Sequence, residues 1–496
     1  MTKRIVVIGA GMGGLASSMA LAGKSDAELM VLEAASGSGG KIGYAEHEGV
    51  RFDTGPSILT LPGIARALFS SAGRDFDAEL ELVESTPNFR YYFADGTELD
   101  VFNRAEATAE SIERVLGTQA RQEFDGFMVY ARRIWEAASP NFIMGPAPSF
   151  GSVARLGFGA LKQLREIDSM RTMLQAIEAR ISDRRLRSLF LRYATYNGSD
   201  PRKAPATLSC IAWVELGMGC WGVAGGMRTL AATMERIARE AGAQFRFDTP
   251  VLGITQSARN GFRIRLADDE IEADAVIVNA DAAHLVNDLL GATYDCGVEI
   301  ASAASMSAWN AVIKARRRSA ERRPGHALVF PEREYIEEFV DIFDHHRAPL
   351  QPTIYLCAQE KAHKSAGWPD HEALFVMANA AHVRGLDDER FDWQGFEQQV
   401  LQRLRALDLI EADDEVVWRR NPAGLAARFP GSRGSLYGAA SNSAFDAFRR
   451  PPNRAPAMAG LYLAGGSAHP GGGVPLCIQS GRQAAAALLE DGWRKR

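Results

Sequence analysis

The sequence predicts an α/β fold whose parallel sheet is built to hold a dinucleotide, and three stretches carry that prediction. Arg4 to Leu15 reads RIVVIGAGMGGL: a run of mostly β-branched residues suits a strand buried on both faces, and Gly9, Gly11 and Gly14 follow at G-x-G-x-x-G spacing. A second apolar run ends on Val31, Leu32 and Glu33. Near the other end, Gly460 to Pro475 reads GLYLAGGSAHPGGGVP, a strand that again runs into glycines and then a helix.

Each glycine of the first motif has a physical purpose. The first allows a tight turn, the second lets the backbone approach a pyrophosphate, and the third lets the next helix pack closely on the strand, so that the helix N-terminus faces the anion. The Glu33 carboxylate falls where it could accept hydrogen bonds from a ribose hydroxyl. Lys3, Arg4 and the uncharged run to Gly23 imitate an export signal, but glycines at 9, 11, 13 and 14 break the apolar helix that such a signal needs.

Length and composition narrow the function classes. A chain of 496 residues exceeds one ordinary domain, and 46% hydrophobic with 24% charged residues describes a globular protein. A net charge of −5 supplies no global attraction for phosphate, which argues against nucleic acid as a partner. Five widely spaced cysteines with no C-x-x-C pair point away from a disulfide framework or a zinc site and toward a reducing cytoplasm. Outside the glycine-rich opening no run of 18 strongly apolar residues occurs, so no membrane span is expected, although contact from one side stays open.

After Glu33, SGSGGKIGY offers Gly37, Gly39, Gly40 and Lys41, a donor-rich loop able to wrap a phosphate or a ring edge, or else a plain connecting turn. Asp53, Thr54, Gly55, Pro56 and Ser57 form a polar turn before a helix expected from about Pro62. From Leu80 the pattern changes to short strands, with a hairpin turn at Asp95-Gly96, and helical periodicity then runs from Ala105 to Glu136. Later strands are expected at Gln244 to Asp248 and at Ala275 to Val278, the latter ending at Asn279-Ala280-Asp281 on the face where cofactors bind in open α/β sheets.

The expected organisation is a discontinuous dinucleotide domain (1–78, 222–290 and 420–496), an inserted α+β substrate domain (79–138, 168–221 and 291–419) and a mainly helical lid (139–167). In that last segment, Pro140, Pro146 and Pro148 prevent one continuous helix, while Phe142, Ile143, Met144, Phe150, Leu156, Phe158 and Leu161 alternate with Arg155, Lys162 and Arg165. It reads either as a mobile element that dips into a membrane interface or as ordinary helices on the core. The tract Arg316, Arg317, Arg318, Arg322 and Arg323 reads as a solvated face or as an attraction for anionic headgroups. His345, His346 and His363 have no ligand-spaced partners to complete a metal site.

Taken together, VVIGAGMGGLA, Glu33, GGK at 39–41, FDTGPS at 52–57, RYATYNGSDPRKAPATL at 192–208, WGVAGGM at 221–227, NAD at 279–281 and the C-terminal glycine motif resemble the bacterial-type carotenoid (phytoene) desaturase family of FAD-dependent oxidoreductases. YLCAQE at 355–360 and LFVMANA at 374–380 look closest to its hydroxyneurosporene or methoxyneurosporene desaturase branch. The resemblance implies a Rossmann-like domain holding FAD. Gly9, Gly11 and Gly14 would face the pyrophosphate and Glu33 the ribose. Gly40, Lys41, Gly55, Pro56 and Ser57 would lie on the flavin side, Val251 by the adenine, and Gly465, Gly466 and Val474 by the ring system.

The implied reaction introduces C=C bonds into an acyclic carotenoid by hydride transfer to flavin. A 1-hydroxycarotenoid 3,4-desaturase at the cytoplasmic membrane face is the branch favoured. A phytoene desaturase, a carotenoid isomerase and an amine oxidase are the enzymatic alternatives, and a lipid-binding chaperone of prenylated GTPases is the non-enzymatic one. No acid/base pair is legible; His469 is the nearest candidate proton acceptor, with a structural role as its alternative.

Overall fold

The computed structural model describes residues 3–148, 166–257, 261–291, 294–300, 303–384, 391–443 and 446–493. Its first layer is a five-stranded sheet in the order Gln244–Arg246, Glu28–Leu32, Arg4–Ile8, Ala275–Val278, Leu461–Leu463. Every neighbouring pair in it is parallel. Ile5, Val6, Val7, Ala275, Val276 and Ile277 are fully buried, as expected of strands covered on both faces. The central position of Arg4–Ile8 puts the glycine loop that follows it at the carboxyl edge of the sheet, where open α/β sheets bind ligands.

The helices Met12–Leu21, Met227–Glu240 and Val474–Leu488 pack together on one face of this sheet. The other face is covered by the antiparallel strands Gly253–Gln256, Phe262–Arg265 and Glu270–Ala273, through Ile254, Ile264 and Ile271.

A second, seven-stranded sheet runs in the order Glu415–Arg420, Ser307–Arg316, His371–Ala380, Ile354–Ala358, His326–Val329, Phe89–Tyr92, Glu98–Val101. Strand alternation divides its two faces. Trp309, Ala311, Ile313, Leu374, Val376 and Ala378 pack with the helix Trp393–Ala406. The intervening residues, among them Asn310, Phe375, Met377 and Asn379, line a cavity.

Two expectations change here. The helical stretch from Ala105 is two helices, Ala105–Leu116 and Thr118–Ser139, because Gly117 at φ 94° takes a conformation that a helix interior does not allow. The basic tract is only partly a solvated face. Arg323 is fully buried and donates to Glu372 Oε1 at 2.6 Å, Arg317 pairs with Glu360 at 2.7 Å, and Arg318 and Arg322 both reach Asp408. Arg318 and Arg323 are thus buried in the fold, while Arg316, Arg317 and Arg322 stay on a solvated face with acidic partners beside them.

Of the lid segment, Pro140–Met144 continues the preceding helix as a wider turn, while residues 149–165, including Phe150, Arg155, Leu156, Phe158, Leu161, Lys162 and Arg165, lie outside the described residues. Phe142 and Ile143, read either as membrane-dipping or as packed on the core, pack against the core and line the cavity. No helix among the described residues is long and apolar enough to cross a membrane.

Candidate active site

One cavity of about 1060 Å³ runs from the edge of the parallel sheet to the seven-stranded sheet. At its first end the two glycine loops lie side by side. Gly39 N donates to Ala10 O at 2.8 Å, and Gly11 and Gly39 form a parallel bridge. Glu33 holds this junction: Oε2 accepts from Ala10 N at 2.6 Å and Oε1 from Ala35 N at 2.9 Å. Each oxygen keeps lone-pair capacity toward the cavity. Thr249 N donates to Glu33 O at 2.8 Å, which brings Val251 to the same end of the cavity.

The chain termini meet behind that wall. Asn279, at the end of its strand, donates from Nδ2 to Ala464 O at 3.0 Å and packs between Gly11, Gly13 and Gly465. A Cβ on Gly14 would strike Gly9 O, so this glycine sets the distance between helix and strand. Gly14 and Gly465 therefore stand behind the cavity wall. Gly9, Gly11, Glu33, Gly40, Lys41, Gly55, Pro56, Ser57, Val251, Gly466 and Val474 line it.

The donor set suits a large anionic cofactor. The helices Met12–Leu21 and Val474–Leu488 begin at Gly11 and Gly473, neither terminus has a side-chain cap, and both open on the cavity. Uncapped N-termini present backbone N–H groups and positive dipole ends to an anion. Lys41 is half-buried and donates from Nζ to Ser435 O at 2.8 Å and Leu436 O at 3.0 Å; desolvation lowers its pKa, against the pull of nearby Asp281. A nucleotide's phosphates, ribose and ring thus find donors, a carboxylate and apolar contacts along one continuous channel, which fits FAD.

Sequence reasoning missed the part played by Asp53. Its Oδ2 accepts from Met227 N at 2.5 Å, capping Met227–Glu240, and Gln359 bonds both its backbone N and its backbone O, each at 2.9 Å. Burial raises the Asp53 carboxyl to about 6. The residue ties together the FDTGPS turn, the helix Met227–Glu240 and the second sheet.

At the second end the walls are mostly carbon: Trp135, Ile143, Val214, Leu328, Phe375 and Met377 among others. Arg192 enters this end with its charge matched. Its Nη2 donates to Glu215 Oε1 at 2.5 Å and to Tyr91 Oη at 2.7 Å, Tyr193 and Tyr196 also donate to Glu215, and Phe89 lies 5.4 Å from the guanidinium. The motif RYATYN at 192–197 therefore builds a neutral, aromatic-walled cluster at the cavity surface.

His469 lines the cavity and is anchored in the fold. Its ring is 2% exposed, Nε2 donates to Gly145 O at 3.0 Å, and burial lowers its pKa to about 4. The ring joins the C-terminal glycine motif to the end of the 140–145 turn. His363 is likewise structural, with Nδ1 accepting from Val223 N at 3.2 Å. Among the described residues, no three His, Cys, Asp or Glu side chains gather as a metal site.

Residues 12–489 match the family described as flavin containing amine oxidoreductase. The chain belongs to this family. It is an FAD-dependent oxidoreductase with the family's α/β fold, and the cavity geometry agrees with that cofactor. A hydroxyneurosporene desaturase from Rubrivivax gelatinosus is 33% identical over 98% of this chain and 93% of its own length. A 4,4'-diapolycopene oxygenase from Methylomonas sp is 27% identical over 99% of this chain and 98% of its own. Among solved structures, an oxidoreductase from Methanosarcina mazei superposes with a TM-score of 0.64 at 15% identity, over 98% of this chain and 100% of the other, a likeness of fold.

Proposed function

We propose that this flavoprotein is a desaturase of an acyclic carotenoid, a 1-hydroxycarotenoid 3,4-desaturase of the hydroxyneurosporene type. The observation that carries the reading is the continuity of the cavity, in which a dinucleotide end opens directly into a long apolar chamber. A chamber of carbon walls suits a hydrocarbon chain and offers little to a small charged amine. The 33% identity to a hydroxyneurosporene desaturase favours the same substrate class and the hydroxylated branch.

In this reading the two uncapped helix termini with Gly9 and Gly11 hold the FAD pyrophosphate, Gly14 setting the helix spacing behind them, with Glu33 at the ribose and Val251 at the adenine. Gly40, Lys41 and the turn Gly55, Pro56 and Ser57 hold the flavin side, and Gly466 and Val474 the ring, with Gly465 supporting them from behind the wall. The substrate domain comprises 79–138, 168–221 and 291–419. Bound FAD supplies the two-electron acceptor for hydride from an allylic C–H of the polyene.

The protein's own residues exclude water and manage charge. Apolar walls keep the polyene cation from being trapped by water, and Phe89, Trp135 and Tyr355, all on the cavity wall, are the aromatic rings able to stabilise it. Glu215 cancels the charge of Arg192, which would otherwise repel the cation. A cation spread over a conjugated chain needs only a weak base to lose the neighbouring proton. A substrate so insoluble is drawn from a membrane, and peripheral attachment at the cytoplasmic face, beside segment 139–167, is part of the proposal.

Expression in cells that accumulate phytoene, neurosporene or hydroxyneurosporene tests the reading. A longer-wavelength pigment with the hydroxylated substrate is expected. A response to phytoene alone would overturn the branch, and no response in any background with FAD bound would overturn the desaturase.

A further inference from the structure

The face of the seven-stranded sheet that lines the cavity is apolar except at a few points. Asn310 and Asn379 stand on it as diagonal neighbours, since Asn310 pairs with Met377 and Asn379 with Ala308 across adjacent strands. Both line the cavity, at 6% and 7% exposure. Asn310 reaches Ala308 O at 3.4 Å, a marginal hydrogen bond, and Asn379 donates to Glu338 Oε1 at 2.8 Å. Glu338 Oε2 in turn accepts from Thr353 Oγ1 at 2.5 Å, and Thr353 also lines the cavity.

Tyr335 completes the group. It lines the same cavity beside Thr353, and its buried hydroxyl has no well-formed hydrogen bond among the described residues. A buried phenol that meets only Thr353, and without good hydrogen-bond geometry, costs stability that phenylalanine would not, and a leucine at 310 would match the wall better than an amide with one marginal bond. Asn379 is accounted for in part by Glu338, but packing gives no reason for the Asn310 amide or the Tyr335 hydroxyl, and a ligand does.

We propose that Asn310, Asn379 and Tyr335 form a subsite that reads a hydroxyl group at the end of an otherwise hydrocarbon chain. The inference rests on the reaction proposed above and names the group that selects its substrate. A hydroxyl both donates and accepts, an amide can answer in both senses, and Tyr335 can donate. A plain hydrocarbon end would leave the same groups unpaired, and a methoxy end could accept but not donate. Sites built to bond a substrate hydroxyl reject the analogue without it for this reason.

The test uses the purified holoenzyme in detergent micelles with two acyclic polyenes of equal length, one hydroxylated at its end. Quenching of tryptophan emission, with Trp135 on the cavity wall, gives affinity, and pigment analysis gives turnover. The wild type is expected to bind the hydroxylated chain about 10-fold more tightly or better. Tyr335→Phe and Asn310→Leu should each shrink that ratio severalfold, with flavin content and melting temperature as checks on folding; Tyr335→Phe removes a poorly bonded hydroxyl and does not threaten the fold. A wild-type ratio near one, or a ratio unmoved in both folded variants, overturns the subsite. Selective binding of the hydroxylated chain without any desaturation overturns the proposed reaction and leaves the subsite standing. Desaturation without hydroxyl preference does the reverse.

Discussion

A side-chain carbon on Gly13 would lie 2.6 Å from the amide nitrogen of Gly465, so the two glycine loops at opposite ends of the chain are in backbone contact. Gly13→Ala should separate them, because Asn279 Nδ2, at 2.7 Å, and the Gly465 backbone leave no room. Overpacking of this kind costs about 1–3 kcal/mol. The expected outcome is a lower melting temperature together with loss of bound flavin, read from visible absorbance after purification; a variant that keeps both would show that the loops tolerate separation.

Glu33 makes a second, independent test of the cofactor end. Glu33→Gln keeps the shape but turns one acceptor into a donor, and that donor must face either Ala10 N–H or Ala35 N–H. Leaving one of these amides unpaired costs about 1–3 kcal/mol. Flavin affinity by equilibrium dialysis should fall by roughly 10-fold or more, whereas oxidoreductase activity at saturating FAD should largely return.

The cofactor end was legible in the sequence because its signals are local: a β-branched run, glycines at fixed spacing, an acidic strand end. Gly13 escaped, since its need for no side chain comes from Gly465, which no spacing rule connects to it. Arg323 escaped for the same reason; its partner Glu372 lies 49 positions away, and a run of arginines looks alike whether exposed or paired. At the substrate end, alternation shows that Asn310 and Asn379 occupy definite sheet faces but not which face meets a cavity. The anchoring of His469 was not legible, because a ring in a glycine loop carries no mark of the distant Gly145 carbonyl it bonds.

Asp53 predicts a pH dependence. Its carboxyl rises from 3.8 to about 6 through burial, so the folded state holds the proton more tightly than the unfolded chain does. Its contribution is fully present below the unfolded pKa and is lost as pH rises to about 6, a total of about 3 kcal/mol. Chemical denaturation of wild type and Asp53→Asn between pH 4 and 7 should show the gap between them changing over this window and constant above it. A gap that does not move with pH contradicts the assignment.

The buried pair of Arg323 and Glu372 predicts a loss of stability far from the chemistry. Both side chains are fully buried, and Lys361 Nζ adds a contact to Glu372 at 2.7 Å. Glu372→Leu strands two cations and should cost about 3–5 kcal/mol. The urea midpoint should drop accordingly, while sedimentation with anionic liposomes stays as in the wild type; an unchanged midpoint would return the tract to the surface role first considered for it.

The central claim is that an acyclic carotenoid loses two hydrogens to the flavin held between the glycine loops. The most direct measurement mixes the anaerobic holoenzyme with a 1-hydroxycarotenoid and follows flavin absorbance and product mass in one turnover. The account predicts bleaching of the flavin and a product lighter by two hydrogens; bleaching absent with mass unchanged, or a product heavier by an oxygen atom when air is admitted, would contradict it.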